Sequence, residues 1–258
     1  MSRGASGETR ASLDVKTLTR LVQRAGALAL ERRREASTEL PEEVAARVEE
    51  KLVELLPARA SALSIVSERS GLDAATFAKS ATGLVLSALD GPEAWAAGVP
   101  TWSIALALVE NGVATAAAVY VPAADDLYTV QGDVFRWNGD VVPKGGLAPT
   151  RTGFVLALAD LDRRSPLRLR RRHPLGSPAY HLALVARGGA DGALLERPSL
   201  CDVAPGLALL AAAGGEAIDL ASGRIVGLAA WLDGRPPRRL LVARQGASAE
   251  ILQRMRRA

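Results

Sequence analysis

The sequence predicts a fold of layered sheets with helices between them, in which antiparallel strands come first and α/β alternation follows. The first observation is Asn111-Gly112, a hairpin turn that lies between the apolar runs 101–109 and 113–121. The second is the half after Lys144, where apolar runs of strand length alternate with runs of helical periodicity. With 258 residues the chain can bury a full core, as one large domain or as two closely packed halves.

The first two predicted elements are helices. Apolar residues recur at helical spacing from Leu13 to Leu28, which predicts an amphipathic helix that continues into the charged stretch 31–35. Pro41 and the two glutamates after it predict the start of a second helix, because proline suits the first helical position and acids favour the first turn. Its apolar stripe begins at Val44, and Pro57 ends it. Residues 1–12 are predicted to be disordered.

Short strands account for the rest of the N-terminal half. Two are predicted ahead of the hairpin, and two more follow it before a second Asn-Gly turn at 138–139. The stretch 84–95 predicts an apolar strand that leads directly into a polar turn and a helix start, a place where ligands gather in α/β proteins. The four strands are predicted at 62–67, 83–86, 127–130 and 134–137.

The C-terminal half alternates. Residues 143–149 form the predicted seam, which divides the chain into an α+β half at 13–145 and an α/β half at 146–258. The predicted strands are 153–159, 167–171, 192–195, 217–220 and 240–243, and the predicted helices are 178–187, 203–213 and 248–256.

Composition narrows the classes of function. The net charge of +4 is modest and is carried mainly by arginine, with a cluster at 163–172 that suits phosphate or carboxylate ligands or else forms a solvated face. Nucleic-acid binding is not expected, because no aromatic residues are interleaved with the basic ones. The long apolar stretch 99–121 is interrupted by a turn and so does not predict a membrane span.

The single cysteine and the N-terminus predict a cytoplasmic protein. Cys201 cannot form an intramolecular disulfide, which fits a reducing compartment. Residues 1–10 are rich in serine, glycine and arginine and lack the apolar core of a secretory signal.

Three acids, Glu68, Asp90 and Asp202, stand at the ends of predicted strands or at a helix start. Carboxylates from separate elements can hold Mg²⁺ beside a substrate phosphate. Acids at helix starts are, however, more often caps. The spacing alone leaves both interpretations open.

Ordered sequence blocks add a family resemblance to these acids. Residues 65–68, Ile-Val-Ser-Glu, resemble the Gly-Glu-Glu block of the inositol monophosphatase superfamily, and 86–92, Leu-Ser-Ala-Leu-Asp-Gly-Pro, resemble its Asp-Pro-(Ile/Leu)-Asp-Gly-Thr motif. Similar blocks follow in order at 98–106, 119–128, 138–139, 175–191 and 201–215, so the resemblance covers about 40–258. It implies a layered α-β-α-β-α sandwich, of the type of inositol monophosphatase and fructose bisphosphatase, and a Mg²⁺-dependent, lithium-sensitive phosphomonoesterase that is commonly a homodimer.

The resemblance also implies roles for individual residues. Glu68, Asp90, the Leu89 carbonyl and Asp202 match metal ligands, with Glu68 and Asp90 closest to the catalytic chemistry. Gly91 matches an amide that holds the phosphate. Gly176, Ser177 and Glu196 match positions on the substrate side, although Glu196 would equally suit a surface salt bridge.

Four departures fall within these motifs. Ser87 stands where the family has the first Asp of its motif, and a neutral hydroxyl is a weaker ligand for a hard cation. Pro92 replaces the threonine that orients the attacking water, and proline lacks both the hydroxyl and the backbone N–H. Arg69 replaces the second Glu of Gly-Glu-Glu, and Ala45 falls roughly where the family has an Asp.

These departures predict an inositol monophosphatase-like protein that is impaired or inactive as a phosphatase, because several losses at one centre are severe. The alternative is an active Mg²⁺-dependent phosphatase for a small phosphorylated sugar or polyol, in which Glu93 could supply a replacement carboxylate. A second alternative is different chemistry on a sugar-like substrate. Glu93 is otherwise explained as a first-turn acid favoured by the helix dipole.

Overall fold

The computed structural model describes residues 13–35, 39–60, 63–70, 73–147, 155–157 and 176–256. The helices are α1 Val15–Arg34, α2 Pro41–Leu55, α3 Ala74–Phe77, α4 Pro92–Ala97, α5 Pro178–Arg187, α6 Leu200–Ala212, α7 Ala229–Leu232 and α8 Ser248–Arg256. The strands are β1 Ser64–Ser67, β2 Thr82–Asp90, β3 Ser103–Glu110, β4 Val113–Val121, β5 Asp126–Gln131, β6 Val134–Trp137, β7 Asp140–Val141, β8 Val155–Ala157, β9 Gly192–Glu196, β10 Glu216–Asp219 and β11 Arg239–Ala243.

The first sheet runs in sequence order from β1 to β7. β1 pairs with β2 in parallel, and every later neighbour is antiparallel. The predicted hairpin is present between β3 and β4, where Asn111 and Gly112 both have positive φ angles of 51° and 79°. That backbone matches the twist of the paired strands and favours the Asn-Gly pair.

The second sheet has the order β10-β11-β9-β8. α1 and α2 pack on one face of the first sheet, and α5 and α6 pack on its other face. The second sheet covers the far side of α5 and α6, and α8 packs on its outer face. The layers are therefore α-β-α-β-α, which confirms the predicted fold class.

The middle helical layer is apolar on nearly every side because it is covered by both sheets. Eleven of the thirteen residues of α6 are buried, including Pro205 inside the helix. α5 and α6 approach closely at Gly206, where an added Cβ would lie 2.4 Å from the Cβ of Leu182. At the end of α5 the guanidinium of Arg187 stacks 4.1 Å from the ring centre of Trp137 and so ties this layer to the first sheet.

Most predicted elements are present, with shifted ends. β2 continues to Asp90, four residues beyond its prediction, because the apolar run ends only there. α6 begins at Leu200, three residues before its prediction, because Ser199 supplies an N-cap. The short elements α3, β7 and α7 were not predicted, since each is too short to show a hydrophobic period.

Several predictions fall on other parts of the chain. The terminus 1–12 that was predicted to be disordered, the predicted strand 167–171 and the whole arginine cluster at 163–172 lie outside the described residues. Of the strand predicted at 153–159, the described part is β8. Within the described residues no helix is both long and apolar enough to cross a membrane.

We expect Gly206→Ala to lower the free energy of unfolding by about 1–3 kcal/mol, because the new methyl group must push α5 and α6 apart. Urea unfolding measures the change. Gly227→Ala is the matched control, since nothing lies within 4 Å of its added Cβ. Equal stability of the two variants would contradict close packing between these helices.

Candidate functional site

The site predicted from the sequence lies where β2 ends. The pairing of β2 with β3 shifts between Ser87 and Asp90, so this end of the strand is irregular, as at a β-bulge. Asp90 then pairs with Ser103 of β3. A bulge of this kind re-aims side chains, and the Asp90 carboxylate is directed at the start of α5.

The Asp90 carboxylate is buried and hydrogen-bonded to the start of α5. Its Oδ2 accepts a hydrogen bond from the Ser177 hydroxyl and one of 2.8 Å from the backbone N–H of Ala179. The Ser103 hydroxyl lies 3.4 Å from the same oxygen and 3.0 Å from the Ser177 Oγ. Ser177 is also the N-cap of α5, where its Oγ accepts from the N–H of Tyr180 at 3.0 Å. We call these groups the Asp90 network: Asp90, Ser103, Ser177 and the N–H groups of Ala179 and Tyr180.

Two glycines allow the end of β2 to meet the start of α5. Gly91 has a φ of 86°, and a Cβ placed there would lie 2.9 Å from the carbonyl carbon of Gly176. Gly176 in turn leaves room for Ala94, whose Cβ would be 2.7 Å from an added Cβ. The predicted site residues Gly91, Gly176 and Ser177 are therefore brought together with Asp90.

Asp202 is the third residue of α6, and its side chain caps that helix. Its Oδ2 accepts from the N–H of Ser199 at 2.6 Å, while the Ser199 Oγ accepts from the N–H of Asp202 at 3.2 Å. This reciprocal pair is a capping box. The interpretation of this acid as a cap, left open by the sequence, is therefore correct, whether or not Asp202 also binds a ligand.

The pKa values of the three predicted acids of the site are all raised. Burial raises the pKa of Asp90 well above its usual range, and the charges of Asp202 and then Glu68 add to the effect. Burial likewise raises the pKa of Glu68, helped by Asp202 and Glu49. Burial also raises the pKa of Asp202, against its hydrogen bonds to Ser199. Asp202 is therefore close enough to Asp90 and Glu68 for its charge to act on both.

Glu49 is a site residue that the sequence reasoning missed. It lies on α2, and its Oε1 accepts a hydrogen bond of 2.7 Å from the hydroxyl of Ser67, the residue before Glu68. Ala45, where the resemblance implies an acid, is four residues earlier and so one helical turn away on the same face. Because residues four apart share one face of a helix, the sequence could have indicated Glu49 as the acid nearest to the position implied for Ala45.

Cys201 is buried beneath this acidic group. Its Sγ lies 4.0 Å from the Val66 carbonyl, and burial, with the charges of Glu68 and Asp202, raises the pKa of the thiol to about 12. A thiol in that state is a poor nucleophile. Cys201 is thus a small packed residue of the core.

The structure also places three of the four departures, Ser87, Pro92 and Arg69, and the predicted ligand Leu89. Ser87 is 1% exposed, and its Oγ has no hydrogen-bond partner among the described residues. Pro92 is the first residue of α4, a helix of only six residues. Arg69 is exposed in the turn after β1, and Leu89 packs its side chain in the core on the α1 and α2 side.

Glu196 lies apart from the Asp90 network. It ends β9 two residues after Leu194, whose side chain packs on the outer face of the second sheet, and it lines a cavity on that face. His181, by contrast, is fully buried on α5, and burial lowers its pKa to about 4, so it is neutral near pH 7.

The residues do not form a ready magnesium site. Within the described residues no group of three or more His, Cys, Asp and Glu side chains is arranged to hold a metal ion. One oxygen of Asp90 is used by the Asp90 network, and one oxygen of Asp202 is used by its capping box. Mg²⁺ demands near-ideal octahedral geometry from hard oxygen ligands. The Mg²⁺ implied by the resemblance therefore does not fit these side chains as they are placed.

The family model and the similar proteins of known name point to the same family. The sequence model of the inositol monophosphatase family matches residues 15–257. The chain is 32% identical over 142 residues to a fructose-1,6-bisphosphatase/inositol-1-monophosphatase of Thermotoga maritima, covering 52% of this chain and 56% of that protein. It is 35% identical over 156 residues to a probable inositol 1-monophosphatase of Mycobacterium tuberculosis, covering 53% and 57%. The matches thus span just over half the length of these curated relatives.

Solved structures agree on the fold. The extragenic suppressor protein SuhB from Bartonella henselae superposes with a TM-score of 0.77 at 18% identity, covering 95% of this chain and 99% of that one. At such low identity the likeness supports the layered fold alone.

We expect Asp90→Asn to keep or raise the stability at pH 8, because the amide oxygen can still accept hydrogen bonds while a buried charge is removed. Asp90→Ala should instead lower the free energy of unfolding by about 1–3 kcal/mol, since it leaves buried donors without an acceptor. Urea unfolding at pH 5 and pH 8 measures both changes, with the exposed Asp233→Asn as control.

The sign of the pH dependence follows from the raised pKa. The folded state binds a proton at Asp90 at pH values where the unfolded chain, with a pKa near 3.8, does not. This group's contribution to stability is therefore complete below pH 3.8 and is lost as the pH rises through the folded pKa. The advantage of Asp90→Asn over the wild type should grow with pH, and an advantage that shrinks with pH would contradict the assignment.

Proposed function

This chain belongs to the inositol monophosphatase family, and from that membership we propose that it has kept the family's fold and a phosphate-sized pocket but is impaired in Mg²⁺-dependent hydrolysis of phosphate monoesters. The observation that carries the proposal is the Asp90 network. A carboxylate that must supply charge to a hard cation instead accepts hydrogen bonds from the first turn of α5.

The neighbouring residues support the same conclusion. Ser87 offers a neutral hydroxyl in place of a carboxylate, and Pro92 has no N–H with which to hold a phosphate oxygen. Metal ligation, water activation and phosphate binding are therefore each weakened at one centre. Losing a single transition-state contact typically costs about a hundredfold or more in rate.

The ligand class follows from the family and stays a proposal for this chain. We propose a small phosphorylated sugar or polyol, bound between the Gly91 turn and the start of α5 at Gly176 and Ser177. Glu68, Leu89 and Asp202 are the remaining groups proposed to face a metal, if one is brought in with the ligand. A cytoplasmic location, predicted from the sequence, and a homodimer, implied by the family resemblance, belong to the same proposal.

The alternative is an active Mg²⁺-dependent phosphatase, and one observation favours it. The charge of Asp202 raises the pKa of both Asp90 and Glu68, so repulsion between carboxylates acts at this site. A divalent cation would relieve that repulsion. Activity would then require Asp90 to give up part of its network, and turnover without metal would point instead to different chemistry.

We expect the wild-type protein, incubated with Mg²⁺ and either inositol 1-phosphate or fructose 1,6-bisphosphate, to release phosphate no faster than Asp90→Ala. The double variant Ser87→Asp with Pro92→Thr restores a carboxylate and a hydroxyl, and should raise release at least tenfold above the wild type. A steady-state phosphate assay makes the comparison.

Pro100→Thr is the matched control, because Pro100 is exposed in the loop before β3 and outside the Asp90 network. Mg²⁺-dependent release by the wild type that disappears in Asp90→Asn would overturn the proposal and establish the active phosphatase.

A further inference from the structure

A cavity of about 620 Å³ lies on the outer face of the second sheet, away from the Asp90 network. Its floor is apolar and comes from Ile218 and Leu220 at the end of β10 and from Leu252 and Met255 on α8. Its volume falls within the range of about 300–1,000 Å³ that small-molecule sites occupy.

The charged groups around this floor are mainly cationic. Arg238 and Arg239 come from the start of β11 and Arg256 from α8, while Glu196 at the end of β9 is the one acid among the lining residues. None of the three arginines forms an ion pair with a carboxylate of the described residues. The local charge of the cavity wall is therefore net positive.

Nearby acids are occupied by other groups. The Asp219 carboxylate accepts hydrogen bonds from the N–H groups of Ala221 and Ser222 and from the Ser222 hydroxyl at 2.6 Å. On α8, Glu250 pairs with Arg254, and neither of these two residues lines the cavity. Within the described residues, the guanidinium groups of Arg238, Arg239 and Arg256 therefore have no carboxylate partner and can bind an anionic ligand.

We propose that this cavity binds a small organic anion, a phosphate or carboxylate group carried on an apolar body. The arginine forks match a phosphate or carboxylate in shape and charge. Ile218, Leu252 and Met255 would cover the apolar part and remove it from water. The anionic group alone would contact only the arginines, and the apolar body alone would contact only the apolar floor. A ligand that carries both should therefore bind more tightly than either part.

Methionine NMR tests the proposal directly, because the sequence contains only two methionines, Met1 and Met255, and Met255 lines the cavity. The full-length protein is labelled at the methionine methyl groups, and Met255→Leu assigns the signals. Hexylphosphonate, which has no ester bond to hydrolyse, is titrated in as the probe. The Met255 signal should shift saturably, and 1-hexanol and inorganic phosphate should each bind at least tenfold more weakly.

Arginine variants supply the second readout. Arg238→Gln and Arg239→Gln should each weaken hexylphosphonate binding by about tenfold, the loss expected for a charge-assisted hydrogen bond. Arg235→Gln, at an exposed arginine outside the lining, should bind like the wild type. An unmoved Met255 signal, or equal binding by the Arg238→Gln/Arg239→Gln double variant, would overturn the proposal. Equal binding of 1-hexanol or of phosphate would overturn the assigned ligand class.

Discussion

The contact between the Asp90 carboxylate and the first turn of α5 fixes the middle helical layer against the first sheet. α5 lies between two sheets, so the position of its start also places α6, with which it packs. The contact is buried, and its donors would be left unpaired if the carboxylate turned away. Unpaired buried donors cost about 1–3 kcal/mol each, a large fraction of the total stability of a domain. The Asp90 carboxylate therefore cannot turn away from α5 without a cost to the stability of the whole fold.

That constraint explains how hydrogen bonds of the fold support the acids of the site. Glu49 holds the Ser67 hydroxyl, Asp202 caps α6 and Asp90 holds α5, so each has hydrogen bonds that repay part of its desolvation. The charge of Asp202 still acts on Asp90 and Glu68 and helps to raise the pKa of both, while the raised pKa of Asp202 itself comes from burial. The neutral Ser87 adds no further charge to this group. A buried hydroxyl without a partner costs less free energy than a second buried carboxylate beside Asp90 would.

The layered fold could be predicted because its causes are local. Apolar periodicity, the Asn-Gly turns and the ordered family blocks each act within a few residues of sequence. The site was predicted less completely, since its central contacts join residues far apart in the chain: Ser103 and the Ala179 amide meet Asp90 across 13 and 89 positions. Ser177 was predicted as a substrate-side residue, and its bond to Asp90 could not be foreseen without the bulge in β2. For Glu196 the local pattern was informative, because alternate residues of a strand face the same side. Glu196 therefore lies with Leu194 on the outer face of the second sheet and away from the Asp90 network.

The Asp90 region and the cavity on the second sheet differ in the sign of their charge, and so in how they would bind an anionic ligand. Near Asp90 a phosphate dianion would meet several carboxylates in surroundings of low dielectric, where like charges repel strongly. It could bind there only with a cation that joins both partners. On the outer face of the second sheet, Arg238, Arg239 and Arg256 present the opposite potential and need no such mediator. The proposed loss of the family's phosphate chemistry and the proposed binding of an anion are therefore physically independent, and the first would leave the second intact.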